Sequence, residues 1–323
     1  MLVDGFGRGV DYLRLSVTDR CDLRCSYCMP KGFKGFDSAA HWLSFDEIER
    51  LAGAFARMGL KRIRLTGGEP LMRKNLPDLV RRLAALPGID DLSLSTNGTQ
   101  LAKYAARLRA AGVTRLNVSL DSLERERVSA ICRRDVLPQI LKGLEVARGE
   151  GFGPIKINMV ALAGTTDADI DAMAAYCIER GFVLRLIETM PMGATGREAG
   201  YLDLGPVRER LRARFGLVDG LVPGGGPARY LVSPDGRFQI GFITPISQHF
   251  CATCNRVRLG VDGRLHLCLG QNDAVDFRPL LRAGCADAEL DEALCAALRA
   301  KPWRHEFRER PQQVVRVMSS TGG

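Results

Sequence analysis

Six short strand-like runs recur along the first two thirds of the chain, and most are followed by residues whose apolar positions repeat at helical spacing. They are YLRLSVT (12–18), RIRLT (62–66), DLSLST (91–96), RLNVSL (115–120), IKINMVAL (155–162) and VLRLIE (183–188). Between the first two, Ile48, Leu51, Phe55 and Met58 fall on one helical face, and Ser44 with Glu47 is placed as a capping box ahead of them. Asp169 to Arg180 repeats the pattern less cleanly. Strands separated by helices predict a parallel sheet. Six units are too few for a closed eight-stranded barrel, so the expected fold is α/β, an incomplete (β/α)6 barrel. At VPGGGP, near residue 222, the pattern changes to strand runs without helices between them. The expected domains are therefore a partial barrel over 1–221 and a smaller region over 222–323.

The 323 residues can bury a large core, and 46% hydrophobic with 26% charged residues is the balance of a soluble globular protein. No apolar stretch approaches the 18 residues of a membrane span, and MLVDGFGRGVDY has no apolar signal region. A cytoplasmic location is expected, in which ten cysteines are thiols or metal ligands rather than disulfides. The net charge of +9 fits a polyanionic partner. With 7% aromatic residues and no lysine-rich tract, nucleic acid gains no support and no membrane partner is expected.

Cys21, Cys25 and Cys28 lie within eight residues directly after the first strand, in a loop at its carboxyl end, where barrel-like sheets place their chemistry. Three thiols without a fourth suit a four-iron cluster with one iron left open; a zinc knuckle or buried thiols is the structural alternative. The next strand ends in TGGEP (66–70), whose glycines permit close approach to the backbone.

A second trio, Cys251, Cys254 and Cys268, is spaced C-x2-C-x13-C. Asp262-Gly263 between NRVRLGV and RLHLCL marks a hairpin that returns Cys268 toward Cys254. By ligand count alone, these cysteines with His249 or His266 would make an ordinary zinc site. Beside a first open cluster, a second iron–sulfur cluster becomes the better reading. Arg256 and Arg258 project from one face of the first hairpin strand, Val257 and Leu259 from the other. Two guanidinium groups beside a metal centre call for an anion such as a phosphate chain. The chain has no G-x4-G-K-[ST] and no G-x-G-x2-G after a strand, so side chains rather than a helix terminus must hold any nucleotide triphosphate.

The C-x3-C-x2-C run with Tyr27 before its last cysteine resembles the signature of the radical S-adenosylmethionine enzymes. That resemblance implies a four-iron cluster on Cys21, Cys25 and Cys28 whose open iron binds S-adenosylmethionine, which is reductively cleaved to a hydrogen-abstracting radical. Tyr27, Gly68, Ser119 and Met190 resemble the contacts to this cofactor. The two clusters together with CNRVR and a terminal Gly-Gly resemble the GTP 3′,8-cyclase family, which opens molybdenum cofactor biosynthesis, over Arg14 to Gly323. From that family come the expected substrate, GTP, and its contacts Arg14, Arg64, Ser95, Lys156, Arg256 and Arg258. Ser95 stands where the family often has threonine. The resemblance also implies that Gly322 and Gly323 reach into the active site, that an external electron donor is needed, and that the product passes transiently to the next enzyme of the pathway. A homodimer is left open, and no side-chain acid or base is identified.

Two other readings stay open from sequence. One is a radical enzyme of the same fold with another substrate, such as a peptide-modifying maturase; the other is a zinc or iron–sulfur regulator that binds nucleic acid. Cys132, Cys177, Cys285 and Cys295 show no ligand spacing and are expected to be buried apolar residues.

Overall fold

The computed structural model describes residues 2–222 and 224–322. Gly323, half of the expected tail, lies outside the described residues.

All six expected strands form: β1 (Tyr12–Ser16), β2 (Arg62–Thr66), β3 (Asp91–Thr96), β4 (Arg115–Ser119), β5 (Ile155–Ala161) and β6 (Val183–Glu188). Each pairs in parallel with the next. The later strands are β7 (Val218–Gly220), β8 (Arg229–Val232), β9 (Gln239–Ile243), β10 (Arg256–Leu259), β11 (Arg264–His266) and β12 (Ala274–Asp276). β9 joins β6 in parallel and β10 joins β1 in parallel, so the strands beyond residue 222 feed both edges of the same sheet. The order is β12-β11-β10-β1-β2-β3-β4-β5-β6-β9-β8-β7. Residues of β10 and residues at the end of β9 line one cavity although they sit at opposite sides of the six central strands, so the sheet curls as a partial barrel must.

The two faces of this sheet differ sharply. Leu13 and Leu15, Ile63 and Leu65, Leu92 and Leu94, Leu116 and Val118, Ile157 and Met159, and Leu184 and Leu186 are buried in the hydrophobic core. The alternate positions carry Arg14, Arg64, Ser93, Asn117, Lys156, Asn158 and Arg185, and the register sets Arg258, Arg14, Arg64 and Ser93 side by side across four strands. Parallel strands covered by helices usually read as continuous apolar runs. Here the inner face is polar, so the barrel interior is shaped to hold something other than layers of aliphatic side chains.

The helix Phe45–Arg57 begins as the sequence predicts. Ser44 Oγ accepts from the Glu47 N–H at 3.1 Å and Glu47 Oε2 accepts from the Ser44 N–H at 2.7 Å. Its buried face carries Ile48, Leu51 and Phe55, each worth about 1.5–3 kcal/mol of apolar burial. Met58 is the C-cap rather than a helical residue. A second capping box, Thr166 with Asp169, starts the helix Asp167–Arg180 two residues earlier than the periodicity suggests.

Candidate active site

The loop after β1 carries the first three thiols. It turns tightly, the Cys28 and Met29 N–H groups both donating to the Cys25 carbonyl at 3.0 Å. The segment Ile131–Cys132 braces it: Arg24 N–H donates to the Cys132 carbonyl at 3.3 Å and Ser26 N–H to the Ile131 carbonyl at 2.9 Å. Tyr27 is fixed by its hydroxyl, which donates to Asp121 Oδ2 at 2.9 Å. Burial raises the Asp121 carboxyl to about 6, the Cys21 thiol to about 12 and the Cys28 thiol to about 11. Cys132 is buried, as expected of a spare cysteine, but its sulfur lies 3.9 Å from Cys25 Sγ, a proximity its spacing does not announce.

Gly67 and Gly68 have a reason that needs no ligand. A Cβ on Gly67 would meet the Thr18 carbonyl oxygen at 2.3 Å, and one on Gly68 the Arg20 carbonyl oxygen at 2.3 Å. The end of β2 therefore lies directly on the segment that leads into the cysteine loop, tied by Gly68 N–H to Thr18 O at 2.8 Å and Glu69 N–H to Arg20 O at 2.7 Å. The buried Glu69 carboxyl, raised to about 7 by burial, accepts from Thr96 and Asn97 and so joins the ends of β2 and β3.

The second three thiols meet as the hairpin predicts. β10 and β11 pair antiparallel, Arg258 opposite His266, around a turn in which Gly263 has φ 86°. Cys251, Cys254 and Cys268 line a single cavity with Arg14, Arg64, Arg185, Arg256 and Arg258. Burial opposes ionisation of Cys254, but Lys301 and Arg256 outweigh it and bring the thiol down to about 7. His266 is pushed to about 4, first by burial and then by Arg316 and Arg258, so the imidazole is neutral.

Among the described residues no carboxylate pairs with the arginines of this cavity. Removal from solvent, then Arg258 and Arg64, push Arg14 well below the usual arginine range. Burial, then Arg256 and Arg316, bring Arg258 to about 9, and burial with Arg64 brings Arg185 to about 10. The Arg14 Nε is buried without a partner. Arg64 and Arg256 lie over the Tyr12 and Phe250 rings at 5.3 and 5.0 Å, stacking that fixes a guanidinium plane without neutralising it.

The chain end closes the gap between the two thiol groups. Residues Met318–Thr321 form a short helix with Ser319 and Thr321 buried. The Ser319 backbone comes near enough to the Cys28 sulfur to offset part of the upward push of burial on that thiol, and the Gly322 carbonyl accepts from Arg258 Nη1 at 2.6 Å. A Cβ on Gly322 would lie 2.2 Å from Thr66 Cγ2, and its φ of 73° favours glycine. Gly322→Ala is accordingly expected to unseat the tail and lower turnover at least about tenfold while the iron content stays that of the parent. Iron analysis beside single-turnover product measurement checks it.

The donor sets fit the groups the sequence implies. Each trio is thiol only, all ten cysteines are free, and among the described residues no three His, Cys, Asp or Glu close on a point as ligands of one metal ion. A thiol-only donor set suits an iron–sulfur cluster. The orphaned Arg14 Nε and the guanidinium row suit a polyanion. Of the residues expected at a nucleotide, Arg14, Arg64, Arg256 and Arg258 share the cavity. Lys156 does not line it and has its Nζ 3.3 Å from the Tyr230 hydroxyl, and Ser95 Oγ is buried without a partner among the described residues. Met190 lines the arginine cavity, whereas Tyr27 and Ser119 line a small one with Cys25.

Residues 15–177 match the Radical SAM superfamily model and residues 182–307 the model named Molybdenum Cofactor Synthesis C. The chain is 49% identical to a GTP 3′,8-cyclase of Ectopseudomonas mendocina (strain ymp) and 47% identical to GTP 3′,8-cyclase 2 of Pseudomonas aeruginosa PAO1, in each case across 100% of this chain and 98% of the relative. It belongs to the GTP 3′,8-cyclase family. Among solved structures, Streptococcus suis SuiB bound to S-adenosylmethionine superposes with a TM-score of 0.65 at 14% identity, covering 91% of this chain and 68% of that one, which speaks for the fold alone. No helix among the described residues is long and apolar enough to cross a membrane.

For this cyclase-family chain the structure adds site residues that the motifs did not disclose. Arg185, on β6, is held by Asn158 Oδ1 at 2.9 Å and by Asn117 Oδ1. The signal was present in VLRLIE, where one arginine interrupts an otherwise buried strand on the inner face. Arg8, Asp121, Lys301 and Arg316 have no such signal, because long-range folding alone brings them to the site.

Proposed function

We propose that this chain is a GTP 3′,8-cyclase that converts GTP to (8S)-3′,8-cyclo-7,8-dihydroguanosine 5′-triphosphate, the first step of molybdenum cofactor (molybdopterin) biosynthesis. The observation that carries this reading is one cavity that joins three thiols, a row of arginines with no carboxylate partner among the described residues, and a chain end that runs from Arg258 to the neighbourhood of Cys28. Two four-iron clusters would be held by Cys21, Cys25 and Cys28 and by Cys251, Cys254 and Cys268. When bound, the first cluster with S-adenosylmethionine supplies one-electron cleavage to a hydrogen-abstracting radical, chemistry no side chain provides.

The protein's part is placement. Tyr27, Gly68, Ser119 and Met190 would hold S-adenosylmethionine beside the first trio. Arg14, Arg64, Arg256 and Arg258, with Ser95 and Lys156, would hold GTP beside the second. Guanidinium groups that repel one another in the free chain gain a shared counter-charge when a triphosphate enters, so binding relieves a cost already built into the fold. Gly322, tethered to Arg258, would occupy the space between the ligands, where a larger side chain would intrude. Water exclusion protects a radical from side reactions. The residues over 1–221 would carry the first cluster, S-adenosylmethionine and four of the six GTP contacts, and those over 222–323 the second cluster with Arg256 and Arg258. An external electron donor, transient delivery to the next enzyme of the pathway and a cytoplasmic location complete the proposal, and a homodimer is compatible with it.

Titration of anaerobic, cluster-loaded protein with GTP tests the reading: saturable binding supports it, and indifference to GTP contradicts it. The pH dependence carries a sign. Burial first, then Arg185, Arg115 and Arg64, bring the Lys156 ammonium down to about 7. Below pH 7 the free chain already holds that proton, and above it the proton must be taken up when the anion binds. GTP affinity should therefore weaken with rising pH through 7, by at most about tenfold per unit. The difference between parent and Lys156→Met affinities isolates this from titration of the nucleotide itself, and an identical profile in the two would remove Lys156 from the site.

A further inference from the structure

We propose that Lys301 is a charge-balancing and positioning residue of the second iron–sulfur site, its ammonium offset by the thiolates of Cys251, Cys254 and Cys268. The inference rests on the reading of those three cysteines as cluster ligands and adds a fourth functional side chain to that site.

Lys301 is 2% exposed, among the most buried charged side chains in the chain. Its Nζ donates to the Leu267 carbonyl at 2.8 Å and lies 3.5 Å from Cys254 Sγ. No carboxylate among the described residues comes within ion-pair distance of it, although the chain's arginines are paired widely over the surface. A buried ammonium without a counter-charge is among the costliest arrangements a fold can keep, so the site must supply negative charge. The nearby charged side chains Arg256 and Arg258 have the same sign and cannot do so. The thiolates can.

The neighbouring Arg8 shows the contrast. It is balanced within its own loop by Asp4, 2.6 Å away, and spends its other donors on the carbonyls of Cys251 at 2.7 Å, Trp303 at 2.6 Å and Pro302 at 2.7 Å. The segment 301–303 thus acts as a strut to all three ligand positions. It reaches Cys251 through Arg8, Cys254 directly, and Cys268 through the carbonyl of the preceding Leu267. Of the two cations, only Lys301 has its charge left for the cluster. A fixed positive charge beside a cluster favours the reduced, more negative state and so sets how readily the site accepts an electron.

Full-length protein is reconstituted anaerobically as parent, Lys301→Met, Lys301→Gln and Lys301→Arg. Iron per chain and the reduction midpoint of the second cluster are then measured, with the first cluster's response to S-adenosylmethionine as the internal check that each variant is folded. The parent should hold about eight irons per chain. Lys301→Met and Lys301→Gln should lose second-cluster iron or, where loaded, shift the reduction equilibrium about tenfold against reduction, ~59 mV for one electron. Lys301→Arg should restore the parent potential. A fully loaded Lys301→Met with an unmoved potential overturns the proposal, and so does Lys301→Gln at the parent value, since a neutral donor would then suffice. A parent with only about four irons would overturn the second-cluster reading itself and this inference with it, and the parent sample alone reveals that case.

Discussion

Cys28→Ala is expected to abolish reductive cleavage of S-adenosylmethionine, by at least about 10³-fold, while the second trio keeps its iron. Three thiolates would already leave one iron without a protein ligand, and removing one more would leave a cage too open to hold a cluster. The loop itself should survive. Its backbone is held by Arg24 to Cys132, Ser26 to Ile131 and Arg133 Nη1 to the Met29 carbonyl at 3.2 Å, none of which uses the Cys28 sulfur. Cys132 lies against Cys25 rather than Cys28, so it is poorly placed to substitute. Quantifying 5′-deoxyadenosine together with iron per chain decides the matter. Cleavage within tenfold of the parent would show that the three-thiol assignment is wrong.

Arg14→Met should separate stability from function in opposite directions. The Arg14 guanidinium accepts no counter-charge among the described residues, and burial with Arg258 and Arg64 holds it well below the usual range. Replacing it with an apolar chain of similar length removes that repulsion, so the ligand-free protein should gain about 1 kcal/mol of stability. GTP binding should fall about 10²-fold, the worth of a charge-assisted contact to phosphate. A melting curve without nucleotide and a GTP titration report the two effects separately. A variant both less stable and equally tight for GTP would contradict the account of the cavity as a pre-charged anion site.

Much of the fold is legible because its strands are short and well punctuated. DLSLST and VLRLIE are found as β3 and β6 at the limits their sequences suggest, and Ser44 with Glu47 marks a helix start that both hydrogen bonds complete. The destinations of β9 and β10 are less legible. Their pairing with β6 and β1 is set by closure of the polar inner face over long sequence separation, which local pattern does not encode. The site divides in the same way. Closely spaced thiols and the two arginines beside Cys254 advertise themselves, and the Asp262-Gly263 turn explains how Cys268 returns to them. Lys301 and Arg8 look like ordinary surface cations in sequence, and become site residues only when segments 1–11 and 301–303 fold onto the second trio. Gly68 carries a requirement that its motif does not announce: beside the ligand contact expected there, the chain's own crossing at Arg20 leaves no room for a Cβ.

Two open three-thiol cages would face one another across a single anion-binding cavity, so that chemistry begun at one is spent on a nucleotide at the other. The most direct test is anaerobic incubation of the fully loaded protein with GTP, S-adenosylmethionine and a reductant, followed by identification of the nucleotide. The expected product is an isomer of GTP, unchanged in mass and joined between C3′ and C8, formed in step with 5′-deoxyadenosine. Formation of 5′-deoxyadenosine with GTP recovered intact would contradict this arrangement.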